Sequence, residues 1–391
     1  MNDPLDPAIV FVPDHEETRV ELHADGQCVS RLWIVPRTLR VGKAEVRMDG
    51  IGGVGTEESH RLRGYSRRVL EAAVRRMAEG DAALSMLYGI RDYYTRFGYA
   101  TAGPEHRLRL THAVEPRPLP DGWSARPYEP GDLPTLSALY DAAIADAVGA
   151  AVRSPGEGVW ARLRDAEPEA RPDACRVVCD ASGAVRGYAW RGAGFWPIEE
   201  EQPGRPDTLL LGEVIADSVE SGRALIAVCH AWAAEEAAKR ERPVGAVETP
   251  TPPNTLLCQA AALGDAMVIR GFARCGGSMA RVLNVERLLR ALLPELDRRA
   301  RKAGVRWEGA LRIETEIGSA GLLWERDSLR CSAEGASLRA RMPQATLARL
   351  ALGAYPPALL LSEIEAEPAT RAALAALFPE RHPHMYVPDR Y

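Results

Sequence analysis

The sequence predicts a mixed α/β (α+β) protein built from more than one domain. Apolar and polar residues alternate over residues 18–56, which indicates a run of strands. From about residue 63 the apolar period becomes helical, so a helix follows the strands. A chain of 391 residues is also too long for one ordinary hydrophobic core. The apolar face of the predicted helix carries Val69, Leu70, Ala73, Val74 and Met77.

Residues 1–113 are predicted to form the first domain. Asp25-Gly26 lies between two alternating runs, which is a strong signal for a β-hairpin. A further strand leads to Asp49-Gly50, and a short glycine-rich strand occupies residues 51–56. Gly80 ends the helix, and the apolar run that follows predicts a buried strand at about 84–90.

A second α/β domain is predicted over residues 114–283. Its beginning, within the proline- and glycine-rich stretch 113–132, is typical of a linker. The element order loosely repeats that of the first domain, which favours an internal duplication. The predicted elements are a helix over 132–150, a hairpin over 175–192, a long helix over 224–241 and a last strand over 271–283.

The third predicted domain covers residues 284–391. It opens with a helix that places Leu288, Leu292 and Leu296 in register and that Pro294 should bend. Residues 310–318 alternate cleanly between apolar and charged side chains, as expected for a strand. Three short helices are predicted after it, so this domain combines helices and a sheet.

Composition narrows the functional classes. The net charge of −5 argues against a nucleic-acid partner and is compatible with a cationic substrate. No apolar run is long enough to predict a membrane span, and the acidic start lacks the basic region of a signal peptide, so we expect a cytoplasmic protein. Cys175 and Cys179 lie about 13 Å apart along one predicted strand, too far for a disulfide. His382 and His384 are a poor chelate pattern, and no metal is expected.

A glycine and several arginines lie at the start of the first predicted helix. Such a helix end presents unpaired backbone N–H groups, which attract anions and pyrophosphate in particular. Gly64 would let a phosphate approach the backbone, and Ser66 is small for the same reason. Arg61, Arg63 and Arg67 add positive charge, although a solvated basic helix end is the alternative interpretation.

Three segments resemble a known family. Residues 60–66 resemble the acyl-CoA pyrophosphate motif R-x-x-G-x-G/A of the GNAT acetyltransferases, with Ser66 in the last small position. Residues 93–100 resemble the end of this domain in the enhanced intracellular survival (Eis) branch of N-acetyltransferases. The C-terminal region, with residues 342–357 and the ending Pro388 to Tyr391, resembles the sterol-carrier-like domain of the same branch.

The resemblance implies tandem GNAT-like domains followed by a sterol-carrier-like domain, in an enzyme that acetylates a small amine with acetyl-CoA. It also implies a homo-oligomer, a hexamer in that family. Tyr94 would protonate the leaving thiolate, and the terminal carboxylate of Tyr391 would be the base. The implied cofactor-binding residues are Val54, Gly55 and Thr56 for pantetheine, Arg61, Leu62, Arg63, Gly64, Tyr65, Ser66 and Arg67 for pyrophosphate, and Gly89 and Ile90 for the thioester channel.

Several alternatives stay open on the sequence alone. Tyr93 could replace Tyr94 but is expected to pack in the core, and Glu57, Glu58 or Asp92 could be the base but are expected to be solvated. The acidic stretch 197–202 could line an amine pocket or be a solvated loop. Too few residues precede the first predicted hairpin to form the strand and two helices that usually open a GNAT domain. We therefore expect the first domain to be shortened at its start. The acceptor could be an aminoglycoside-like amine, a polyamine or a protein lysine.

The rival function is that of a non-catalytic carrier of CoA or lipid with a relic site. A carrier would need a hydrophobic tunnel, whereas residues 312–318 and 347–354 look like an ordinary sheet-and-helix unit. The second domain shows no glycine–arginine turn, because residues 216–225 occupy the corresponding place. We therefore interpret the second domain as a degenerate copy that helps to shape the acceptor site.

Overall fold

A computed structural model describes residues 7–90, 92–111, 117–166, 171–192, 208–262, 264, 266–272, 276–332 and 337–391. Contacts divide the chain into two compact units. The first unit contains the residues up to Gly103, residues 272–381 and Tyr391, and the second contains residues 104–271 and 382–390. The acidic stretch 197–202 lies outside the described residues.

The first segment of the chain forms a meander of long antiparallel strands and a helix. Asp25 and Gly26 both have positive φ at the turn between residues 24 and 27, so the turn predicted there is confirmed. A strand over residues 44–56 continues the meander, and a strand over residues 84–89 pairs with it in parallel after the helix. The elements are β1 (Ala8–Asp14), β2 (Glu17–Ala24), β3 (Gln27–Val41), β4 (Ala44–Thr56), α1 (Tyr65–Glu79), β5 (Leu84–Gly89) and β6 (Ala100–Thr101).

Helix α1 covers one face of this sheet. Four of its five predicted apolar residues, Val69, Leu70, Ala73 and Met77, are buried in the core beneath it, and Val74 packs at the edge. The helix ends at Gly80, whose N–H donates to the carbonyls of Arg76 and Met77. The predicted amphipathic helix is therefore confirmed, and its N-terminus lies where β4 ends.

The middle segment builds the second unit from two four-stranded sheets and a long buried helix. Strand β8 lies inside the stretch predicted as a linker and pairs with β10, so that part of the linker prediction is wrong. The sheet orders are β13-β11-β10-β8 and β12-β14-β7-β15. The elements are β7 (Glu105–Thr111), β8 (Ser124–Pro127), α2 (Leu133–Ile144), β9 (Val148–Ala151), α3 (Gly158–Arg164), α4 (Arg171–Ala174), β10 (Cys175–Cys179), β11 (Val185–Trp190), β12 (Thr208–Leu210), β13 (Glu213–Ala216), α5 (Val219–Arg240), β14 (Ala246–Pro250), α6 (Leu256–Ala261) and β15 (Ala266–Gly271).

A buried charged cluster holds the tail residues 382–390 within the second unit. The Arg153 guanidinium donates to both Glu213 and Asp389, and it lies 3.7 Å from the ring centroid of Tyr140. Arg390 donates to Glu105 at 2.9 Å. Removing one partner would leave a buried charge uncompensated, so these contacts fix the tail in place.

The last segment returns to the first unit. β16, which we predicted as the last strand of the second domain, instead pairs with β5 and β6 of the first sheet. Leu288, Leu292 and Leu296 are buried on α7 as predicted. A further sheet has the order β19-β18-β17-β20-β21. The elements are β16 (Gly277–Val282), α7 (Val285–Ala303), β17 (Ala310–Thr315), β18 (Gly318–Glu325), β19 (Ser328–Ser332), β20 (Leu338–Arg341), α8 (Gln344–Leu352), α9 (Pro357–Leu360), β21 (Glu365–Ala366) and α10 (Pro368–Leu377).

The three sequence-predicted ranges and the two contact-defined units divide the chain differently, chiefly because β16 joins the first sheet. The three-domain division stays a prediction. In the described part of the chain, no helix has the length and apolar character needed to cross a membrane. The six described cysteines are free thiols, and Cys175 and Cys179 lie on one strand as predicted.

Candidate active site

Strands β4 and β5 separate at one end of the first sheet. Their parallel pairing runs from Met48 and Leu84 to Ile51 and Leu87. Beyond Ile51, β4 continues to Thr56 and stays paired with β3 on its other side. Gly53 and Gly55 in this free stretch are exposed. The predicted pantetheine residues Val54, Gly55 and Thr56 therefore lie on a backbone edge that a thin ligand could pair with.

The turn before helix α1 has an unusual backbone. Leu62 has a φ of 63° and a side chain that is fully exposed, and Gly64 has a φ of 77°. A left-handed conformation at a leucine costs about 1–3 kcal/mol and is often found at functional sites. A β-carbon at Gly64 would meet no atom within 4 Å, so the space above this glycine is open.

The N-terminus of α1 keeps its positive character. Gly64 provides no side-chain cap, and the first helical turn holds no acidic residue. By contrast, Ser218 caps α5 and accepts a hydrogen bond from the Ser221 N–H at 3.0 Å, with Glu220 in the first turn. Uncapped N–H groups and the helix dipole together favour an anion at α1 and not at α5.

Arginine side chains surround this helix start. The Arg61 Nε donates to the Thr56 carbonyl at 3.4 Å, and the Arg63 Nη2 donates to the Ser59 carbonyl at 3.3 Å. Arg67 is exposed on the first turn of the helix. Because two guanidiniums are tethered to backbone oxygens, their positive charge stays beside the turn.

Tyr93 takes part in the turn in a way that sequence reasoning missed. Its hydroxyl lies 2.6 Å from the Ser66 Oγ, and its ring packs at the edge of the core. The predicted core packing of Tyr93 is thus only part of its role, since it also ties residue 93 to the first turn of α1. The separation of 27 residues gives no periodic signal in the sequence.

Tyr94 lies in the core at the first position of a 3₁₀ turn, Tyr94–Phe97. It is 8% exposed, and its ring meets that of Tyr93 edge-on with centroids 4.9 Å apart. Burial, and secondarily the neighbouring Tyr93, raises the pKa of Tyr94 to about 12. The phenol therefore keeps its proton at neutral pH, as a proton donor must, and burial makes it a weaker acid than a phenol in water.

Gly89 places Tyr94 at the end of β5. A β-carbon at Gly89 would lie 2.5 Å from the Met279 Sδ and 3.1 Å from the Tyr94 Cδ2. Any larger residue would push one of these side chains away. Ile90, the next predicted residue, is 62% exposed, which fits a position at the edge of a channel.

Tyr391 lies on the first sheet over two glycines of β4. A β-carbon at Gly52 would lie 3.4 Å from the carboxyl carbon of Tyr391. The Tyr391 hydroxyl donates to the Met86 carbonyl of β5 at 3.2 Å. Gly52 is the first residue of β4 after the paired stretch, so the carboxyl group lies where the two strands separate.

The alternative bases lie elsewhere on the surface. Glu57, Glu58 and Asp92 are all exposed. The Glu57 N–H donates to the Val29 carbonyl at 2.9 Å, so only its side chain is free to move in solvent. None of these three side chains is buried, as they were expected not to be.

Comparisons with known proteins give the class of the first segment of the chain. Residues 12–102 match the model of the acetyltransferase (GNAT) domain, a range that contains every predicted cofactor-binding residue and Tyr94. A comparison with curated protein sequences gives no match. The region that carries the glycine–arginine turn is therefore assigned to the class of acetyltransferase (GNAT) domains.

Solved structures with the same fold extend over almost the whole chain. A GCN5-related N-acetyltransferase from Kribbella flavida has a TM-score of 0.66 and 18% identity, covering 95% of this chain and 88% of that chain. A GCN5-related N-acetyltransferase from Anabaena variabilis has a TM-score of 0.68 and 16% identity over 94% and 88%. Eis1 from Mycobacterium abscessus has a TM-score of 0.61 and 20% identity over 95% and 90%.

The protein thus carries a GNAT acetyltransferase domain on a mixed α/β fold. The predictions of an N-acetyltransferase and of acetyl-CoA as its acetyl donor are confirmed. Its fold is similar to that of Eis1, as the sequence resemblance predicted. The roles of individual residues and the acceptor stay predictions.

Proposed function

We propose that the protein transfers the acetyl group of acetyl-CoA to a primary amine of a small cationic acceptor, aminoglycoside-like or polyamine-like. The observation that carries this proposal is the position of the Tyr391 carboxyl carbon over Gly52, where β4 leaves β5. Tyr94 lies against Gly89 at the end of the neighbouring strand. An acetyl transfer could therefore take place between Tyr94 as the acid and the Tyr391 carboxylate as the base.

The donor would bind along β4 and the start of α1. The backbone of Val54, Gly55 and Thr56 would pair with the pantetheine arm, since this edge of β4 has left β5. Residues 62–67 would hold the pyrophosphate, with Arg61 beside them. The open space at Gly64 and the uncapped helix end support this assignment.

The reaction would be a direct attack in a ternary complex. The amine nitrogen attacks the thioester carbon, the carbon–sulfur bond breaks, and the electron pair leaves on sulfur. Tyr94 gives its proton to that thiolate, and the Tyr391 carboxylate takes the proton that the new ammonium group loses. Proximity supplies much of the rate, so the transfer needs no covalent intermediate on the protein.

A cationic acceptor is favoured by the same carboxylate. Seated on the sheet, the negative charge of the carboxylate would attract the ammonium group of a cationic acceptor. A protein lysine carries the same amine and differs only in the surface that presents it. Peptide and protein substrates therefore belong in the test beside the small amines.

For the rest of the chain we infer the organisation that the resemblance implies. Residues 114–283 would be a degenerate GNAT-like domain, which the self-capped start of α5 supports. Residues 284–391 would be a sterol-carrier-like domain, supported by its mixed helix-and-sheet content. The protein is expected to be a homo-oligomer, hexameric by resemblance, and light scattering of the full chain measures this directly.

Turnover of acetyl-CoA, followed by detection of the free thiol, tests the proposal across a panel of amines. Aminoglycosides and polyamines should give rapid thiol release, and simple anionic or neutral compounds should not. Lysine peptides that were faster than every small amine would identify a protein acetyltransferase. If acetyl-CoA bound tightly but no amine released thiol, the protein would be a carrier with a relic site.

A further inference from the structure

A glutamate, a histidine and a cysteine meet on the hairpin formed by β2 and β3, apart from the proposed active site. Glu21 and His23 lie two residues apart on β2 and so share one face of the sheet. His23 pairs across the hairpin with Cys28 at the start of β3. The three possible ligand atoms lie within 4.8 Å of one another.

The side chains in this cluster are ordered by close contacts. The His23 Nε2 lies 2.7 Å from the Glu21 Oε2. The Arg19 Nε lies 2.5 Å from the other carboxylate oxygen, Oε1. Arg19 therefore fixes the carboxylate and leaves Oε2 directed at the histidine, in the manner of an outer-shell partner of a metal ligand.

The cluster is partly sheltered but reachable from solvent. The Glu21 side chain is 11% exposed and that of His23 is 35% exposed. Val20 and Leu22, which alternate with these residues, are buried in the core under α1. Glu21 and His23 therefore lie on the opposite face of the sheet from α1.

We propose that Glu21, His23 and Cys28 form a binding site for a zinc ion, with water as the fourth ligand. Zinc takes thiolate, imidazole and carboxylate ligands at about 2.0–2.3 Å, in a tetrahedron whose ligand atoms are roughly 3.3–3.8 Å apart. Small rotations of the largely buried Glu21 side chain and of the partly exposed His23 and Cys28 side chains would bring the observed separations into that range. Calcium and magnesium prefer oxygen ligands alone, and so fit this donor set poorly.

Binding would change the protonation of the cluster in a defined way. The sulfur–hydrogen bond of Cys28 breaks, a sulfur–zinc bond forms and the proton goes to solvent. His23 binds through Nε2 as a neutral imidazole, replacing its present contact with Glu21. One thiolate and one carboxylate then balance the two positive charges of zinc.

The site would fasten the hairpin next to the glycine-rich end of β4. Ser30, two residues after Cys28, donates to the Gly55 carbonyl at 3.0 Å and lies 2.8 Å from the Thr56 Oγ1. Zinc at residues 21–28 would therefore hold β3 beside the stretch of β4 that runs free of β5. We expect a structural clamp, with no role for the metal in the chemical step.

Calorimetric titration of zinc chloride into the full-length, chelator-treated protein tests the site. One zinc per chain should bind with a Kd below about 1 μM. Heats measured in two buffers of different ionisation enthalpy should show the release of about one proton. Cobalt in place of zinc should give a thiolate-to-metal charge-transfer band, which reports the sulfur ligand directly.

Variants separate this cluster from other thiols and imidazoles. Cys28→Ser and His23→Gln should each weaken zinc binding by at least about tenfold, and Cys28→Ser should abolish the cobalt band. Cys331→Ser, at another partly exposed thiol of the first unit, is the matched control and should bind as the wild type. Absence of 1:1 binding at about 100 μM zinc, or equal affinity in Cys28→Ser and wild type, would overturn the proposal.

Discussion

The phenol ring of Tyr391 lies directly on Gly50. A β-carbon at that glycine would be 2.2 Å from the Cζ atom of the ring, closer than any real contact. Two residues along, a β-carbon at Gly52 would lie 3.4 Å from the Tyr391 carboxyl carbon, an ordinary van der Waals distance. Glycine at position 50 therefore leaves a seat on β4 for the Tyr391 ring that any side chain would fill.

A larger residue at Gly50 should lower acetyltransferase activity without weakening the binding of acetyl-CoA. Gly50→Val would displace the Tyr391 ring, and with it the carboxyl group, so we expect kcat to fall by about 10²-fold or more. The acetyl-CoA Kd should change little, because the predicted pyrophosphate turn is not touched. Steady-state kinetics and calorimetry measure the two effects. Gly131→Ala, at a glycine with open space around its α-carbon, is the control and should behave as the wild type.

Gly64 tests the pyrophosphate turn. Gly64→Asp would place a carboxylate where the pyrophosphate is expected, and opposed like charges cost several kcal/mol, so CoA affinity should fall by about 10²-fold or more. Gly64→Asn is the matched control, since it imposes the same backbone strain at positive φ without the charge. Calorimetric titration of CoA compares the two. Equal affinities in the two variants would show that the anion binds elsewhere.

Replacing Tyr94 should mainly lower kcat, whereas replacing Tyr93 should mainly weaken the binding of acetyl-CoA. Tyr94→Phe removes the proposed proton donor and keeps the buried ring, so kcat should fall by about 10²–10⁴ with a small change in acetyl-CoA affinity. Tyr93→Phe removes only the hydrogen bond to Ser66, worth about 0.5–1.5 kcal/mol, so the Kd should rise at most about tenfold at nearly normal kcat. The reverse pattern would make Tyr93 the acid.

Local patterns predicted much of the first unit. The Asp25-Gly26 turn, the buried face of α1 and the leucines of α7 each follow from signals within a few residues. The pairing of β16 with β5 was not predicted, because the sequence of one strand does not show which other strand pairs with it. The contact of Tyr391 with Gly50 joins residues 341 positions apart along the chain, so the sequence indicated Gly50 only as the end of a strand.

In the candidate site, too, local motifs were predicted from the sequence and contacts between distant residues were not. Gly64, Ser66 and the arginines lie in one short motif, so the residue types alone indicated an anion-binding helix end. The bond between Ser66 and Tyr93 and the meeting of Glu21 with Cys28 arise across strands and turns, where no sequence period links the partners. Tyr391 was predicted only through the resemblance, since a chain terminus has no pattern of its own.

Stability of the second unit should depend on pH through His106. This side chain is fully buried, and burial, together with His382 and Arg270, lowers its pKa to about 4. In the unfolded chain its pKa is near 6.5, so between pH 6.5 and 4 the unfolded state binds a proton that the folded state does not. The free energy of unfolding should therefore fall as the pH falls through this window, by roughly 3 kcal/mol for this group.

Urea unfolding at several pH values measures the effect. His106→Leu removes the titrating group, so the variant should lose less stability than the wild type between pH 7 and about 4.5, whatever its absolute stability. Burial and Arg390 also lower the pKa of His384. The stability of the variant should therefore still depend on pH, but less steeply. Identical pH slopes in the two proteins would show that His106 is already protonated in the folded state.

The proposed role of the Tyr391 carboxylate makes the sharpest prediction. Adding a few residues after Tyr391 moves the charge and replaces the carboxylate by a neutral amide, while the ring keeps its seat on Gly50. The hydrogen bond from the Tyr391 hydroxyl to the Met86 carbonyl also needs no free terminus. We expect kcat to fall by about 10²-fold or more, with the melting temperature and the acetyl-CoA Kd nearly unchanged. Tyr391→Phe in the unextended chain is the control, because it keeps the carboxylate and loses only the hydroxyl. Full activity in the extended protein would contradict the proposal, and Glu57, Glu58 and Asp92 would then be the bases to replace one at a time.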